Sequence, residues 1–511
     1  MFGLTMNPFV AGSVMVVAGI LYWLGWIIYC LWFHPLAKYP GPKIAAVSGV
    51  WFIWAWTSGR FPHILEGVHK KHGDVVRIAP NELSFSTIQA HRDIYSTPSK
   101  TRKPFLKCSK FYNNGDAPNL FYEIDPVEHA KMRKMLAPGF TGGAMKSHEH
   151  VIHRYVDMFV RKLAELSAAS CGKGVDVTEA VPWLTFDVMG ELTFSESFNA
   201  VAAGKTHFWI SLLNDSAYAA SLPPLISRAP ALALLIPFLL SITSLWNLRK
   251  HYAYTLAIVR RRIARPPSSG SDLFAPVLEQ NGERVSEKYL VSLAQAMIIA
   301  GADTVTTAMT SALYFLCTSP KSMARLRDEV RSLRYEQLDG GEVARLGYLN
   351  AVIEESKIVG MSAVRCFPPI AFGLPRVSPG ETIDGHFIPK GVRVSAGHWV
   401  LNRNPLIWDR AYEFIPERWL RNDDGDDKLQ NGAQPAIFPF STGPRSCLGI
   451  AQANLEVRIA LAKLVHTFDM QVAQDPGDWI DAARMNMMWK KAPFMVNFIP
   501  RDGGDFNKNE K

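Results

Sequence analysis

The hydrophobic pattern begins with an uncharged run of 25 residues, FVAGSVMVVAGILYWLGWIIYCLWF, at positions 9–33. A helix needs roughly 20 apolar residues to cross a bilayer core, so this run is long enough to span a membrane with some tilt. A cleaved signal peptide would need a positive segment before the run and a small-residue cleavage site after it, and neither is evident. Lys38 and Lys43 follow the run and no charged side chain precedes it. This asymmetry predicts that the body of the protein lies on the cytoplasmic side.

The pattern after this segment predicts a hinge, a small β region and a helical middle. Three prolines in HPLAKYPGPK favour extended chain, which predicts a stiff hinge over residues 34–44. GDVVRIAPNELSFS alternates like a strand pair. A proline-free run within residues 283–320 predicts one long helix of about 45–50 Å. Ser319 and Pro320 predict the cap and first position of the next helix.

A second apolar stretch, residues 229–246, is interrupted by Pro230 and Pro237. It barely reaches spanning length, so we expect a surface that dips into lipid; a core segment or a second span are the alternatives. The polar tail, residues 501–511, is expected to be loose.

Composition narrows the class of protein. Hydrophobic residues make up 48% of the 511-residue chain and charged residues 20%, which is typical of a globular protein. The net charge of +9 suits an anionic membrane surface or an acidic protein partner, and the absence of a dense basic run argues against nucleic-acid binding. Six cysteines are scattered without a CxxC pair, which argues against a disulfide framework or a zinc site and fits a reducing compartment.

One cysteine, Cys447, has unusual neighbours in the segment FSTGPRSCLG. The residues after it predict a helix, so the sulfur lies at a helix start, where free N–H groups stabilise a thiolate. Gly443 permits a left-handed turn, Gly449 allows close approach to the backbone, and Arg445 offers a cation. This set suits a large planar metal cofactor with acidic groups at its edge, such as heme. The spacing places Leu455, Ile459, Ala462 and Val465 on one face of this helix.

These residues resemble a known family. F-x-x-G-x-R-x-C-x-G is the heme-ligand signature of the cytochromes P-450, and this chain matches every fixed position, at Phe440, Gly443, Arg445, Cys447 and Gly449. The resemblance implies heme b with Cys447 as the axial ligand of its iron. It also implies a mainly α fold with a smaller β region, the cytochrome P-450 fold (α+β), preceded by one transmembrane helix. The expected organisation is a lumenal N-terminus (1–8), the anchor (9–33), the hinge (34–44), a catalytic domain (45–500) and the tail (501–511).

Further family landmarks follow the expected order. The segment AGADT in the long helix resembles the oxygen-activation segment of the family. Small Ala300 and Gly301 would leave room for dioxygen, while Asp303 and Thr304 could relay protons to it.

The segment DPVEHAKMRK resembles the helix behind the heme, with Asp125 as its cap and Pro126 in its first turn. His129 and Arg133 then lie four residues apart on one face, where the family places two donors to the heme propionates. GLPRVSP supplies Arg376 at a third propionate-binding position, and FIPERW supplies Arg418 as the structural arginine of the family. Lys131 and Lys134 point away from this face and are expected to help receive an acidic electron donor.

The chain departs from the family at one buried ion pair. The family has Glu-x-x-Arg before a Pro-Pro pair, whereas Glu355 and Arg365 lie ten residues apart here. In a continuous helix the two could share a face but not touch. The extra residues therefore either loop out or reflect a splicing error. We favour a splicing or gene-model error, and expect weak heme incorporation if the protein is made as written.

The resemblance implies a membrane-anchored heme-thiolate monooxygenase that inserts one oxygen atom into a lipophilic small molecule. The sequence looks most like fungal members that tailor secondary metabolites. Electrons would come from NADPH through a reductase, with cytochrome b5 as an additional candidate donor, and the location would be the endoplasmic reticulum membrane. A heme-thiolate isomerase or dehydratase that needs no reductase is one alternative, although such members tend to lose the threonine found here at Thr304. A non-enzymatic membrane binder of a sterol-like ligand or heme is another.

Overall fold

The structure is a computed structural model of the chain. It describes residues 8–99, 101–112, 119–212, 221–229, 234, 242–265, 272–278, 285–356, 365–420 and 438–501.

The first helix stands apart from the rest of the protein. Helix α1 (Pro8–Ile28) continues into a π-helical turn, Tyr29–Phe33. The segment Gly12–Phe33 is long and apolar enough to cross a membrane, and almost none of it is buried in the protein. Large apolar side chains such as Met15, Tyr22 and Trp32 are exposed along it. This exposure fits a helix whose partner is lipid rather than protein.

Helices make up most of the remaining described chain. In order they are α2 (Lys43–Val47), α3 (Val50–Thr57), α4 (Phe61–His72), α5 (Ile88–Tyr95), α6 (Ser109–Tyr112), α7 (Pro126–Leu136), α8 (Gly142–Ala169), α9 (Val177–Phe194), α10 (Ala200–Ala203), α11 (Leu222–Ile226), α12 (Ile242–Ala264), α13 (Ala275–Leu278), α14 (Glu287–Ile298), α15 (Thr304–Thr318), α16 (Pro320–Val330), α17 (Gly340–Val343), α18 (Gly347–Ser356), α19 (His398–Asn402), α20 (Ile450–Thr467) and α21 (Trp479–Ala482). Short 3₁₀ turns lie at Ala137–Phe140, Tyr335–Gln337, Pro416–Trp419 and Gly443–Arg445.

The core is built around α15 and α20. Helix α20 packs against α8 and α15, and α9 packs against both α8 and α15. The segment Glu287–Thr318 also passes the length and hydropathy test for a membrane span, but more than half of it is buried inside the protein. It is therefore the central helix of the core.

Four small sheets surround this bundle. The largest has the strand order β1-β2-β8-β5-β3, with β2 and β8 parallel and the other pairs antiparallel. The others have the orders β4-β12-β9, β6-β7 and β10-β11. The strands are β1 (Val75–Ala79), β2 (Glu82–Phe85), β3 (Leu106–Lys107), β4 (Val175–Asp176), β5 (Arg376–Val377), β6 (Glu381–Ile383), β7 (His386–Ile388), β8 (Arg393–Ala396), β9 (Phe468–Val472), β10 (Arg484–Asn486), β11 (Met488–Lys490) and β12 (Met495–Pro500).

Most of the predicted elements are confirmed. Strands β1 and β2 occupy the predicted β region, and Pro320 begins α16. The Ser319 side chain, however, makes no capping hydrogen bond there. The long helix runs from Glu287 to Thr318 but contains a π-helical segment, Ile299–Asp303, which the sequence pattern did not predict.

Two other predictions concern segments that lie largely outside the described residues. Within the stretch 229–246, only residues 229, 234 and 242–246 are described, so the predicted dip into lipid stays a prediction. The tail beyond residue 501 also lies outside them.

Candidate functional site

The loop that carries Cys447 is held by local backbone hydrogen bonds. The Cys447 N–H donates to the Phe440 carbonyl over 2.8 Å, and the Ser446 N–H donates to the Gly443 carbonyl over 3.1 Å. Gly443 has φ +70°, and a Cβ there would lie 2.7 Å from backbone atoms of residues 95 and 97. Glycine is therefore required for the turn. Gly443 does not line the cavity described below, so its place is in shaping the loop.

The sulfur of Cys447 lies where helix α20 begins. Gly449 precedes the first helical residue, Ile450, and its backbone N–H hydrogen-bonds to the sulfur. Burial raises the pKa of the Cys447 thiol, while the Gly449 N–H and the charge of Arg133 oppose that increase. The predicted position at a helix start is confirmed. Three of the four residues predicted to share one face, Ile459, Ala462 and Val465, are buried, and the rest of α20 is also largely buried, including at Glu456 and Lys463.

Cys447 opens into a cavity of about 240 Å³ inside the protein. The cysteine loop contributes Phe440, Arg445 and Gly449 to its wall. A Cβ at Gly449 would meet only one atom within 4 Å, a ring carbon of Phe140, so the backbone there is open to the cavity. Much of the remaining wall is apolar and comes from Tyr112, Leu120, Phe121, Leu136, Phe140, Leu293, Ala296, Met297, Leu374, Leu448 and Ala453.

Basic side chains gather at the same cavity. His129 and Arg133 both line it from helix α7, as predicted, and Arg376 and Arg445 join them. Helix α7 begins as predicted, because the Asp125 carboxylate accepts hydrogen bonds from the N–H groups of residues 127 and 128.

These cations are held by neutral acceptors. Arg445 donates to the backbone carbonyls of residues 123 and 124, and Arg133 donates to the Ser446 carbonyl. Arg376 donates to the Tyr112 hydroxyl over 2.9 Å. Within the described part of the chain, none of the three arginines forms an ion pair with a carboxylate.

A fifth basic residue, Lys107, was not predicted. It lines the cavity from β3 and donates to the backbone carbonyls of residues 120 and 121. Burial and the nearby charges of Arg445 and Arg376 lower the pKa of Lys107 to about 6. Burial and the same group of cations lower the pKa of His129 to about 3. Such crowding of positive charge favours an acidic partner at this end of the cavity.

The central helix forms another part of the wall. Ala300, Gly301 and Thr304 line the cavity, and the Thr304 hydroxyl donates to the Ala300 carbonyl over 2.7 Å. Gly301 also allows close packing, because a Cβ there would lie 2.5 Å from the side chain of Met189 on α9. Asp303, at the end of the π-helical segment, is not among the lining residues. Its predicted part in proton relay stays a prediction.

The donor set fits heme. A sulfur at a helix start suits iron, apolar walls suit a porphyrin, and five basic residues suit its acidic groups. Gln452 adds to this fit, because its buried side-chain amide lines the cavity and has no hydrogen-bond partner among the described residues.

Comparison with known proteins agrees with the geometry. The family model described as Cytochrome P450 matches residues 40–498. The chain belongs to the cytochrome P450 family. The family is one of heme enzymes with cysteine thiolate ligation, so this cytochrome P450 is a heme-thiolate oxidoreductase of the monooxygenase class, and its α-helical fold with small sheets is confirmed.

Curated fungal proteins are similar along nearly the whole chain. "Cytochrome P450 monooxygenase BOA3" of Botryotinia fuckeliana is 39% identical over 95% of this chain and 96% of its own length. "Cytochrome P450 monooxygenase btcC" of Neocamarosporium betae is 37% identical over 96% of this chain and 98% of its own length. "Averantin hydroxylase" of Dothistroma septosporum is 32% identical over 98% of this chain and 93% of its own length.

The structure corrects the expectation about Glu355 and Arg365 in this cytochrome P450. The two are in contact despite their separation in sequence, with 2.5 Å between Arg365 Nη2 and Glu355 Oε1, and both side chains are fully buried. Arg418 completes the cluster at 3.3 Å from Glu355, as the resemblance implied. The intervening residues 357–364 lie outside the described residues. Because the pair forms in the chain as written, the reason for expecting weak heme incorporation no longer holds.

Proposed function

We propose that this cytochrome P450 inserts one oxygen atom from dioxygen into a lipophilic small molecule of a secondary-metabolite pathway. The observation that carries the proposal is one cavity shared by the Cys447 sulfur, a group of basic residues and the small residues of the central helix. The similar fungal proteins support the reaction class, since they include a hydroxylase and several monooxygenases.

The cysteine loop and the basic residues would hold the heme. Cys447 would ligate the iron, with the Gly449 N–H sharing the negative charge of its sulfur. Arg133, Arg376 and Arg445 would bind the acidic edge of the porphyrin, together with His129 and Lys107. Phe440 and Gly449 would border its face. When bound, the heme supplies oxygen activation, a chemistry that amino-acid side chains alone do not provide.

The central helix would leave room for a ligand and carry the groups that transfer protons. Ala300 and Gly301 present little side-chain volume to the cavity, which leaves room for a small ligand. The Thr304 hydroxyl faces the same space and can pass on a proton, while Asp303 behind it can supply one. Burial raises the pKa of Asp303, which favours its protonated form as a donor. The apolar walls exclude water and orient a lipophilic substrate.

Exposed residues near the cavity suit an electron-transfer partner and a membrane. We infer that electrons come from NADPH through a reductase, and that cytochrome b5 is an additional donor. Lys131 and Lys134 are exposed on helix α7, next to residues that line the cavity, and suit an acidic partner surface. We place the catalytic domain on the cytoplasmic face of the endoplasmic reticulum membrane, with residues 1–8 in the lumen. Leu245 and Trp246 on α12 are exposed, which suits a substrate drawn from lipid.

A spectrum tests the ligand assignment. The reduced, carbon-monoxide-bound protein is expected to show the strongly red-shifted Soret band of thiolate ligation. Cys447→Ala should lose this band, whereas Cys171→Ala, which removes an exposed cysteine, should keep it. Retention of the band in Cys447→Ala would exclude Cys447 as the ligand.

Two further assays test the reaction. Lipophilic candidates that displace iron-bound water are expected to change the spin state of the heme, which identifies a substrate. Conversion of that compound should then require NADPH and reductase. Product formed without either would instead support the isomerase or dehydratase alternative.

A further inference from the structure

A half-buried lysine, Lys491, reaches the central helix from a distant part of the chain. Lys491 directly follows strand β11, far from α15 in sequence, and its Nζ donates to the Thr307 hydroxyl over 2.9 Å. Thr307 is fully buried and lies four residues after Asp303, so the two share one face of the helix. A buried ammonium is costly unless a partner compensates it. Packing alone therefore does not explain why the Lys491 ammonium lies beside Thr307.

The group whose negative charge, when it is ionised, acts on Lys491 is Asp303. Burial lowers the pKa of Lys491, and the negative charge of Asp303 opposes that change. Burial raises the pKa of Asp303, and the positive charge of Lys491 opposes that change in turn. Asp187 of the adjacent helix α9 is occupied otherwise, because it accepts hydrogen bonds from Ser197 and the Val201 N–H. Lys491 is thus the cation whose field reaches Asp303.

Lys491 and Asp303 act on each other through their charges but are not joined by a direct contact. No ion pair within 4 Å and no hydrogen bond to the Asp303 carboxylate is present among the described residues. A carboxylate held by a nearby charge but free of direct donors can gain and lose a proton without breaking a salt bridge. Thr304, the next residue, lines the cavity.

The backbone that carries Lys491 is fixed in place. Trp489 is 4% exposed, and its Nε1 donates to the Pro368 carbonyl over 2.7 Å. Its ring also packs against Phe367 with 4.5 Å between centroids. Lys490, which lies between Trp489 and Lys491 in the sequence, is exposed. Lys491 is therefore held on a rigid strand end and directed inward, whereas its neighbour points to solvent.

We propose that Lys491 is a positioning residue for proton delivery, tethered to Thr307 and holding Asp303 ready to supply Thr304. The inference rests on the proposed function and assigns a role to a residue outside the cavity. In each cycle Asp303 gives one proton toward the Thr304 hydroxyl and is reprotonated from solvent. The carboxyl group and the ammonium both end the cycle unchanged, so no further reactant is needed.

An infrared titration of the heme-loaded, full-length protein tests the positioning role. The carboxyl band of Asp303 is assigned by its loss in Asp303→Asn. In Lys491→Met we expect the titration midpoint of this band to rise by about 1 pH unit or more, since an opposite charge nearby lowers a carboxyl pKa by about 1–3 units. Lys491→Arg, which keeps the charge, should restore the midpoint. Lys490→Met is the matched control and should leave it unchanged.

Reductase-supported NADPH oxidation without added substrate provides a second readout. In Lys491→Met we expect slower oxidation and a larger solvent deuterium isotope effect, and Lys491→Arg should reverse both changes. If Lys491→Met yields no folded holoprotein, Thr307→Val removes the tether and should raise the Asp303 midpoint by a smaller amount.

The outcomes separate this inference from the proposed function. A thiolate-type carbon monoxide spectrum in parent and Lys491→Met, combined with the same Asp303 midpoint and isotope effect in both, would overturn the role of Lys491 alone. A parent protein without that spectrum would overturn the proposed function itself.

Discussion

Removing the charge of Glu355 is expected to cost a large part of the stability of this protein. Its Oε1 accepts hydrogen bonds from Arg365 Nε at 3.0 Å and from the Ile415 N–H at 3.0 Å, and its Oε2 accepts one from Trp419 Nε1 at 2.9 Å. The same carboxylate faces Arg418. In Glu355→Gln two buried guanidinium groups would lose their counter-charge.

The magnitude follows from this geometry. Breaking a fully buried ion pair by removing one partner costs about 3–5 kcal/mol, because the remaining charge stays buried and unpaired. Whole proteins are stable by only about 5–15 kcal/mol, so the loss would be a large fraction of the total. The guanidinium of Arg365 stays charged in the variant, because arginine is not deprotonated in proteins.

Urea unfolding of the heme-loaded protein, followed by tryptophan fluorescence and the Soret band, measures the change. Glu417→Gln is the matched control, because Glu417 lies on the adjacent turn and pairs at the surface with Arg325 at 3.4 Å. An exposed pair of this kind contributes about 1 kcal/mol or less. Replacing both ends, in Glu355→Gln with Arg365→Met, should recover part of the loss. A Glu355→Gln protein within about 1 kcal/mol of the parent would refute the reasoning.

Three further perturbations follow from the site. Gly443→Ala should destabilise the protein by more than about 1 kcal/mol, because the φ of +70° at Gly443 and backbone atoms at 2.7 Å exclude a Cβ. Gly142→Ala is the control, since Gly142 has open space around it and should tolerate a Cβ. Equal urea midpoints for the two variants would contradict the prediction. In the heme-free protein, the free energy of unfolding should increase as pH rises from about 6 to about 10. In this range Lys107 is neutral in the folded state but still protonated in the unfolded state, so each rise in pH favours the folded state. Lys107→Met should flatten that part of the pH dependence of the urea midpoint, and an unaltered slope would show that Lys107 is not desolvated. Deleting residues 357–363, which restores the Glu-x-x-Arg spacing, should leave the heme content of the purified protein equal to that of the parent, and a several-fold gain in heme would show that the longer segment does impair folding.

The sequence by itself determined those features that depend on a few neighbouring residues. The long N-terminal helix follows from an uninterrupted apolar run, and the cap at Asp125 follows from a carboxylate that bonds to backbone N–H groups two and three residues on. The turn at Gly443 and the position of Cys447 before helix α20 are equally local. Each can be read from spacing, because the interacting groups are separated by only a few residues.

Tertiary structure decided the contacts between distant segments. Lys107 carries no local signal, and only the packing of β3 against β5 brings it to the same cavity as Arg376. The approach of Lys491 to Thr307 joins residues 184 apart. Glu355 and Arg365 meet although their spacing in a continuous helix would keep them apart. Such contacts depend on how whole elements pack to bury apolar surface and pair buried charges, and the order of residues along the chain does not encode that packing in any local pattern.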